Sequence, residues 1–158
     1  MIVPISAYIL FIFLGIAAIF DLFLRRVPNY WTGIGAGIGM AAPWLTSYGV
    51  SMTSAYLGGV LAFSFFLVPY VFGWMGAGDV KLFGASGLFI GMERVIAAAL
   101  YIAIAGGVLA VIFLSIRILR FIQKRNLGEA KHWRDRDLPY AVAIFSGTVA
   151  LLFKEISQ

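Results

Sequence analysis

From Val27 to Gly78 the chain runs fifty-two residues without one charged side chain. A soluble domain carries about 25% charged residues, so a stretch of this length in water would hold about a dozen. As one helix it would be about 78 Å long, more than twice a hydrocarbon core of about 30 Å. It must therefore fold back on itself inside an apolar medium. The polar run Thr46-Ser47-Tyr48-Gly49-Val50-Ser51 is the place to turn. This predicts two membrane helices, at about 31–46 and 53–74.

The rest of the chain repeats the pattern. Ile2 to Phe20 is nineteen uncharged residues, and Val95 to Ile116 is twenty-two. Each is long enough to cross a bilayer. Leu82 to Met92 is an eleven-residue apolar run, short for a full span, and Leu138 to Phe153 closes the chain. The sum is an all-α, polytopic membrane protein: a single domain over 1–158 with six transmembrane helices at about 2–24, 31–46, 53–74, 79–93, 95–120 and 138–153. Glu93-Arg94 is expected to mark a turn. With 62% hydrophobic and 12% charged residues, a water-soluble globule is excluded.

Charge sets the orientation. No positive residue precedes the first helix, which argues against a cleaved signal peptide; Arg25 and Arg26 follow it. Seven of the twelve Lys and Arg residues lie between Arg117 and Arg136. The positive-inside rule then puts the 25–30 turn, the 75–80 turn and the basic loop 117–137 in the cytoplasm, with the N- and C-termini outside. The basic loop suits anionic lipid head groups rather than nucleic acid, since no folded nucleic-acid module accompanies it. The chain has no cysteine and one histidine, His132, so neither a thiolate nucleophile nor a cysteine- or histidine-rich metal site is expected. No metal and no cofactor enter the reading. The glycines of the second helix (Gly33, Gly35, Gly37, Gly39) and Gly58-Gly59 of the third read as points of close helix packing.

Two acids stand out. Asp21 ends the first apolar segment, and Asp79 sits in Gly76-Ala77-Gly78-Asp79-Val80-Lys81. A charge at membrane depth is costly, so such an acid is a functional hypothesis by default. Both fall on the cytoplasmic side of the derived topology. Two carboxylates brought close cannot both ionise easily; one keeps its proton, which makes an acid–base pair able to activate water. Gly76 and Gly78 offer backbone angles closed to other residues and room for a substrate backbone. Lys81 suits an acidic substrate group or the membrane interface. Residue types alone leave two other functions open: a small proton-coupled transporter, relaying protons through Asp21, Asp79 and Lys81, and a non-catalytic membrane assembly protein.

The motifs narrow this. Gly76-Ala77-Gly78-Asp79-Val80-Lys81-Leu82 resembles the GxGD signature of membrane aspartic proteases, in the form found in type IV prepilin peptidases. Asp21 followed by Arg25-Arg26-Val27-Pro28-Asn29 is similar to that family's first-aspartate motif, and Leu138-Pro139-Tyr140-Ala141-Val142-Ala143-Ile144 to the opening of its last helix. Without cysteine-bearing CxxC pairs, the chain looks like the short, peptidase-only CpaA/TadV-like branch that accompanies tight-adherence (Flp-type) pili, and more distantly like archaeal preflagellin peptidases. N-methylation is accordingly not expected. The resemblance implies a bacterial inner-membrane enzyme that cuts the basic leader from prepilin or pseudopilin precursors at the cytoplasmic face. It implies Asp21 and Asp79 as catalytic, and Gly76, Gly78, Lys81, Arg25 and Asn29 as substrate-binding. Lys81 would meet the glutamate commonly found near the mature pilin N-terminus.

Overall fold

The computed structural model describes residues 5–24, 26–45, 50–125 and 140–156. Among the described residues there are six helices and no strand: α1 (Ile5–Leu24), α2 (Asn29–Leu45), α3 (Met52–Val71), α4 (Ala77–Ile90), α5 (Met92–Arg125) and α6 (Tyr140–Ile156). Three helical stretches, Ile5–Leu24, Met52–Val71 and Met92–Ile116, are long and apolar enough to cross a membrane, and α6 carries a shorter apolar stretch, Tyr140–Lys154. The chain is thus an all-helical protein built for a membrane, as its charge-free runs predict.

The short α4 is the axis of the fold. It packs against each of the other five helices. Val80, Leu82, Phe83, Ala85, Phe89 and Ile90 are all buried. An apolar run too short to span need not reach both surfaces when protein surrounds it, and a run of this length is the usual mark of a buried core helix. Glycine makes the close approach possible. A Cβ on Gly58 of α3 would stand 2.6 Å from the Gly87 carbonyl oxygen of α4, and one on Gly147 of α6 would stand 2.6 Å from the Ile102 backbone of α5. The second-helix glycines divide by face. Gly35 lies against Phe13 and Gly39 against Leu88 and Phe89, whereas Gly33 and Gly37 have open space around them. Close packing therefore accounts for two of those four.

Several boundaries differ from expectation, each for a local reason. α2 begins at Asn29 rather than near 31, because the Pro28 carbonyl already accepts the Thr32 N–H at 3.3 Å. α3 ends at Val71, not 74. Gly73, with φ 73°, lets its own N–H reach the Tyr70 carbonyl and the Trp74 N–H reach that of Pro69, both at 2.9 Å. That pair of reversed bonds is a Schellman ending, which wants glycine there. Glu93-Arg94 is not a turn but part of the first turn of α5; the turn is Gly91, with φ 79°. Ser54 Oγ accepts the Met92 N–H at 3.1 Å and so ties the start of α5 to α3. The thirty-four residues of α5 carry it to Arg125, as the basic sequence beyond Ile116 suggests. Residues 126–137 of the basic loop lie outside the described residues.

Candidate active site

Asp21 occupies the last turn of α1, with 7% of its surface exposed. Its Oδ2 accepts a hydrogen bond from the backbone N–H of Ala141 at 2.9 Å, 120 residues along the chain. Ala141 belongs to the first turn of α6, whose N–H groups have no partner within their own helix. The buried carboxylate thus closes the end of another helix, and that helix's positive end faces it.

Asp79 sits in the first turn of α4 and is half-buried. Its Oδ2 accepts from the Gly76 N–H at 3.2 Å, while the Asp79 N–H donates to the Gly76 carbonyl at 3.1 Å. Glycine has no side chain to complete a capping box, so its carbonyl serves instead. The turn passes close to the segment after α1: a Cβ on Gly78 would stand 3.7 Å from the Val27 carbonyl oxygen. This approach sets Asp79 at the end of the bundle where α1 ends with Asp21. Each holds one oxygen on a backbone N–H and keeps Oδ1 without a protein hydrogen-bond partner among the described residues.

Lys81 Nζ donates to Asn29 Oδ1 at 2.9 Å, linking α4 to the first residue of α2, and no carboxylate among the described residues pairs with it. Both residues line a cavity of about 560 Å³ between α2, α3 and α4. Among the described residues no group of His, Cys, Asp or Glu side chains could hold a metal ion.

Of the residues singled out from sequence, Asp21, Asp79, Gly76 and Gly78 come together at one end of the bundle, and Lys81 and Asn29 meet beside them. Arg25 lies outside the described residues. One expectation needs correcting. Gly76 has φ −80°, and Gly78 lies within the helix; the positive-φ glycines among the described residues are Gly73 and Gly91. The GxGD glycines therefore adopt backbone angles open to other residues. Sequence reasoning also missed the Ala141 N–H. The quoted Leu138-to-Ile144 motif pointed at the right segment, but a backbone donor leaves no side-chain signature.

Residues 8–111 match the sequence model of the type IV leader peptidase family, Peptidase_A24. No curated protein and no solved structure matches the chain.

Proposed function

Since the chain belongs to the type IV leader peptidase family, we propose that it is a membrane aspartic endopeptidase that removes the short basic leader from Flp-type prepilin or prepilin-like precursors, with Asp21 and Asp79 as its catalytic pair. The observation that carries this reading is the approach of the Asp79 turn to the segment that follows α1, which sets two carboxylates from distant parts of the sequence at one end of the bundle, each steadied by one backbone N–H and each with one oxygen that has no protein hydrogen-bond partner among the described residues. Such a pair holds a water between an ionised and a protonated carboxyl. The ionised group takes a proton as the water oxygen attacks the scissile carbonyl carbon, and the protonated group gives its proton to the carbonyl oxygen. As the tetrahedral intermediate collapses, a proton passes to the amide nitrogen and the C–N bond breaks. The products are a leader carboxylate and a new N-terminal amine.

In this reading the enzyme works in the bacterial cytoplasmic membrane with this site facing the cytoplasm and both chain ends outside; the positive charge at Arg25, Arg26 and 117–136 supports that orientation. Lys81 and Asn29 take part in substrate binding, Lys81 through an acidic group of the precursor. The basic loop serves anionic lipid. The test is co-expression with a prepilin from the same genome. Asp21→Asn and Asp79→Asn each leave the precursor uncut while the protein still accumulates in membranes. Normal processing by either variant overturns the pair, and pH-driven proton flux in vesicles would favour a relay instead.

A further inference from the structure

The helix that carries Asp21 is held unevenly. α1 approaches α6 closely along its length but approaches α2 and α4 only sparsely. On the α6 side, the Phe11 and Phe145 rings stand 5.2 Å apart and Ala141 donates to Asp21. On the α2 side the link is Trp31. Its Nε1 donates to the Phe13 carbonyl at 3.2 Å. Its indole stacks on Phe13, with ring centroids 5.8 Å apart and planes at 22°, and meets Phe20 edge-on at 5.8 Å and 70°. Phe13 and Phe20 are seven residues apart, about 10.5 Å of helix, so the indole lies between them. Phe20 is the residue before Asp21. Phe13 in turn fills the space beside Gly35 and stacks on Phe89 of α4 at 6.3 Å.

We propose that Trp31 is a positioning residue: its indole fixes the last turns of α1 against α2 and so sets where Asp21 stands relative to the Asp79 turn. The proposal rests on the peptidase reading above. Trp31 acts through Phe20 and the course of α1, since the protein donors to the two carboxylates are the Ala141 and Gly76 N–H groups. Its placement is unlike that of the tryptophans at the ends of α2 and α3. A membrane tryptophan commonly keeps its apolar rings in the lipid and its N–H in the wet interface. Trp44 and Trp74 are 70% and 69% exposed, whereas Trp31 is half-buried and gives its N–H to another helix. The Phe13 carbonyl lies inside α1, where a carbonyl already accepts from four residues on; its second lone pair takes the indole. The turn that carries Trp31 is itself fixed. The Trp31 N–H donates to the Pro28 carbonyl at 3.0 Å, and buried Thr32 donates through Oγ1 to the Asn29 carbonyl at 2.9 Å. Asn29 in the same turn accepts from Lys81, two residues beyond Asp79. One turn of α2 therefore bonds both acid-bearing helices, α1 through Trp31 and α4 through Asn29.

Trp31→Phe keeps an aromatic ring and removes the N–H; Trp31→Ala removes both. With a prepilin as substrate in membranes, Trp31→Phe is expected to lower kcat about two- to tenfold, the range of one ordinary hydrogen bond, with KM unchanged. Trp31→Ala is expected to lower kcat by up to about 10²-fold, as a misplacement of about 1 Å does. Trp44→Phe makes the same change at the exposed far end of α2 and is expected to process normally. A second measurement needs no activity. The chain has no cysteine, so spin labels can be placed on Phe23→Cys of α1 and Val71→Cys of α3, both exposed. In the full-length protein in bilayers, the distance distribution between the labels is expected to shift or broaden in Trp31→Phe and more so in Trp31→Ala, and to stay unchanged in Trp44→Phe. Normal kcat in both Trp31 variants overturns the proposal. So does a loss confined to KM, or a lowered kcat with unchanged distances, either of which would make Trp31 a substrate contact instead. If Trp31→Ala fails to accumulate, Trp31→Phe decides by the same two readouts. If Asp21→Asn or Asp79→Asn cuts normally, the catalytic pair falls, and unchanged distances in the Trp31 variants would show separately that Trp31 does not hold α1. If both aspartate variants abolish cutting while the Trp31 variants are normal in rate and distance, the pair stands without Trp31.

Discussion

The two aspartates are the same side chain held in opposite ways. Asp79 is built locally, in a turn whose donor and acceptor both belong to Gly76, three residues back. Asp21 is built globally: it ends α1, and its donor arrives at the start of α6. Local construction makes a carboxylate tolerant, since its partner is exposed and water can replace it. Construction between helices makes it demanding, because Ala141 is fully buried and no solvent stands ready to substitute. The difference also settles how a helix C-terminus can hold an acid. The end of α1 opposes an anion at Asp21, and the N-terminal end of α6 offsets it.

The largest effect should erase the difference. If both groups act on one water, Asp21→Asn and Asp79→Asn should each lower the rate of leader removal by about 10²- to 10⁴-fold, because general acid–base contributions have that size. The double variant should be little worse than either single one, since residues acting as a unit are non-additive. Quantitative immunoblotting of precursor and mature pilin reads both. Additive losses would mean that the carboxylates work separately.

The next two expose the difference. Ala141→Pro deletes the N–H that Asp21 accepts, at a first-turn position where proline is tolerated. A hydrogen bond to a charged group contributes about 1.5–3 kcal/mol, so kcat should fall about ten- to a hundredfold with KM little changed. Gly76→Pro deletes the corresponding donor to Asp79, at φ −80° and ψ 152°, which proline can adopt. With Gly76 exposed to solvent, the loss should be about two- to tenfold, the range of an ordinary hydrogen bond. Equal losses in the two proline variants would break the contrast between a local and a tertiary carboxylate.

What could be read from the sequence divides along the same line. The charge-free runs locate all six helices, because burying a charge in hydrocarbon is penalised wherever it occurs. The GxGD turn is legible because its bonds close within four residues. The partner of Asp21 is not, since nothing local to Asp21 marks Ala141 as its donor. Helix ends were missed where one glycine decides them: Gly73 and Gly91 end helices through φ, whereas Gly76 and Gly78, which look like the same signal, do not. The glycines of α2 show why composition cannot assign a face. Gly35 and Gly39 are filled by Phe13, Leu88 and Phe89, while Gly33 and Gly37 are open, and only the neighbours distinguish them.

The smallest effect tests whether the Asp79 turn is as tolerant as its local construction implies. Gly78 lies inside α4, and an added Cβ would make ordinary contacts at 3.7 Å with the Val27 carbonyl oxygen and 4.0 Å with Val27 Cβ. Nothing there forbids a methyl group, and alanine is favoured over glycine within a helix by about 0.5–1 kcal/mol. Gly78→Ala should therefore raise thermal stability in detergent by up to that amount. Its effect should also be independent of Asp21: combined with Asp21→Asn, the two stability changes should add. A loss of stability in Gly78→Ala would mean that the contact with Val27 already has no slack. The distance between the two carboxylates would then be set by that contact, and the Asp79 turn would be as dependent on tertiary structure as the Asp21 site.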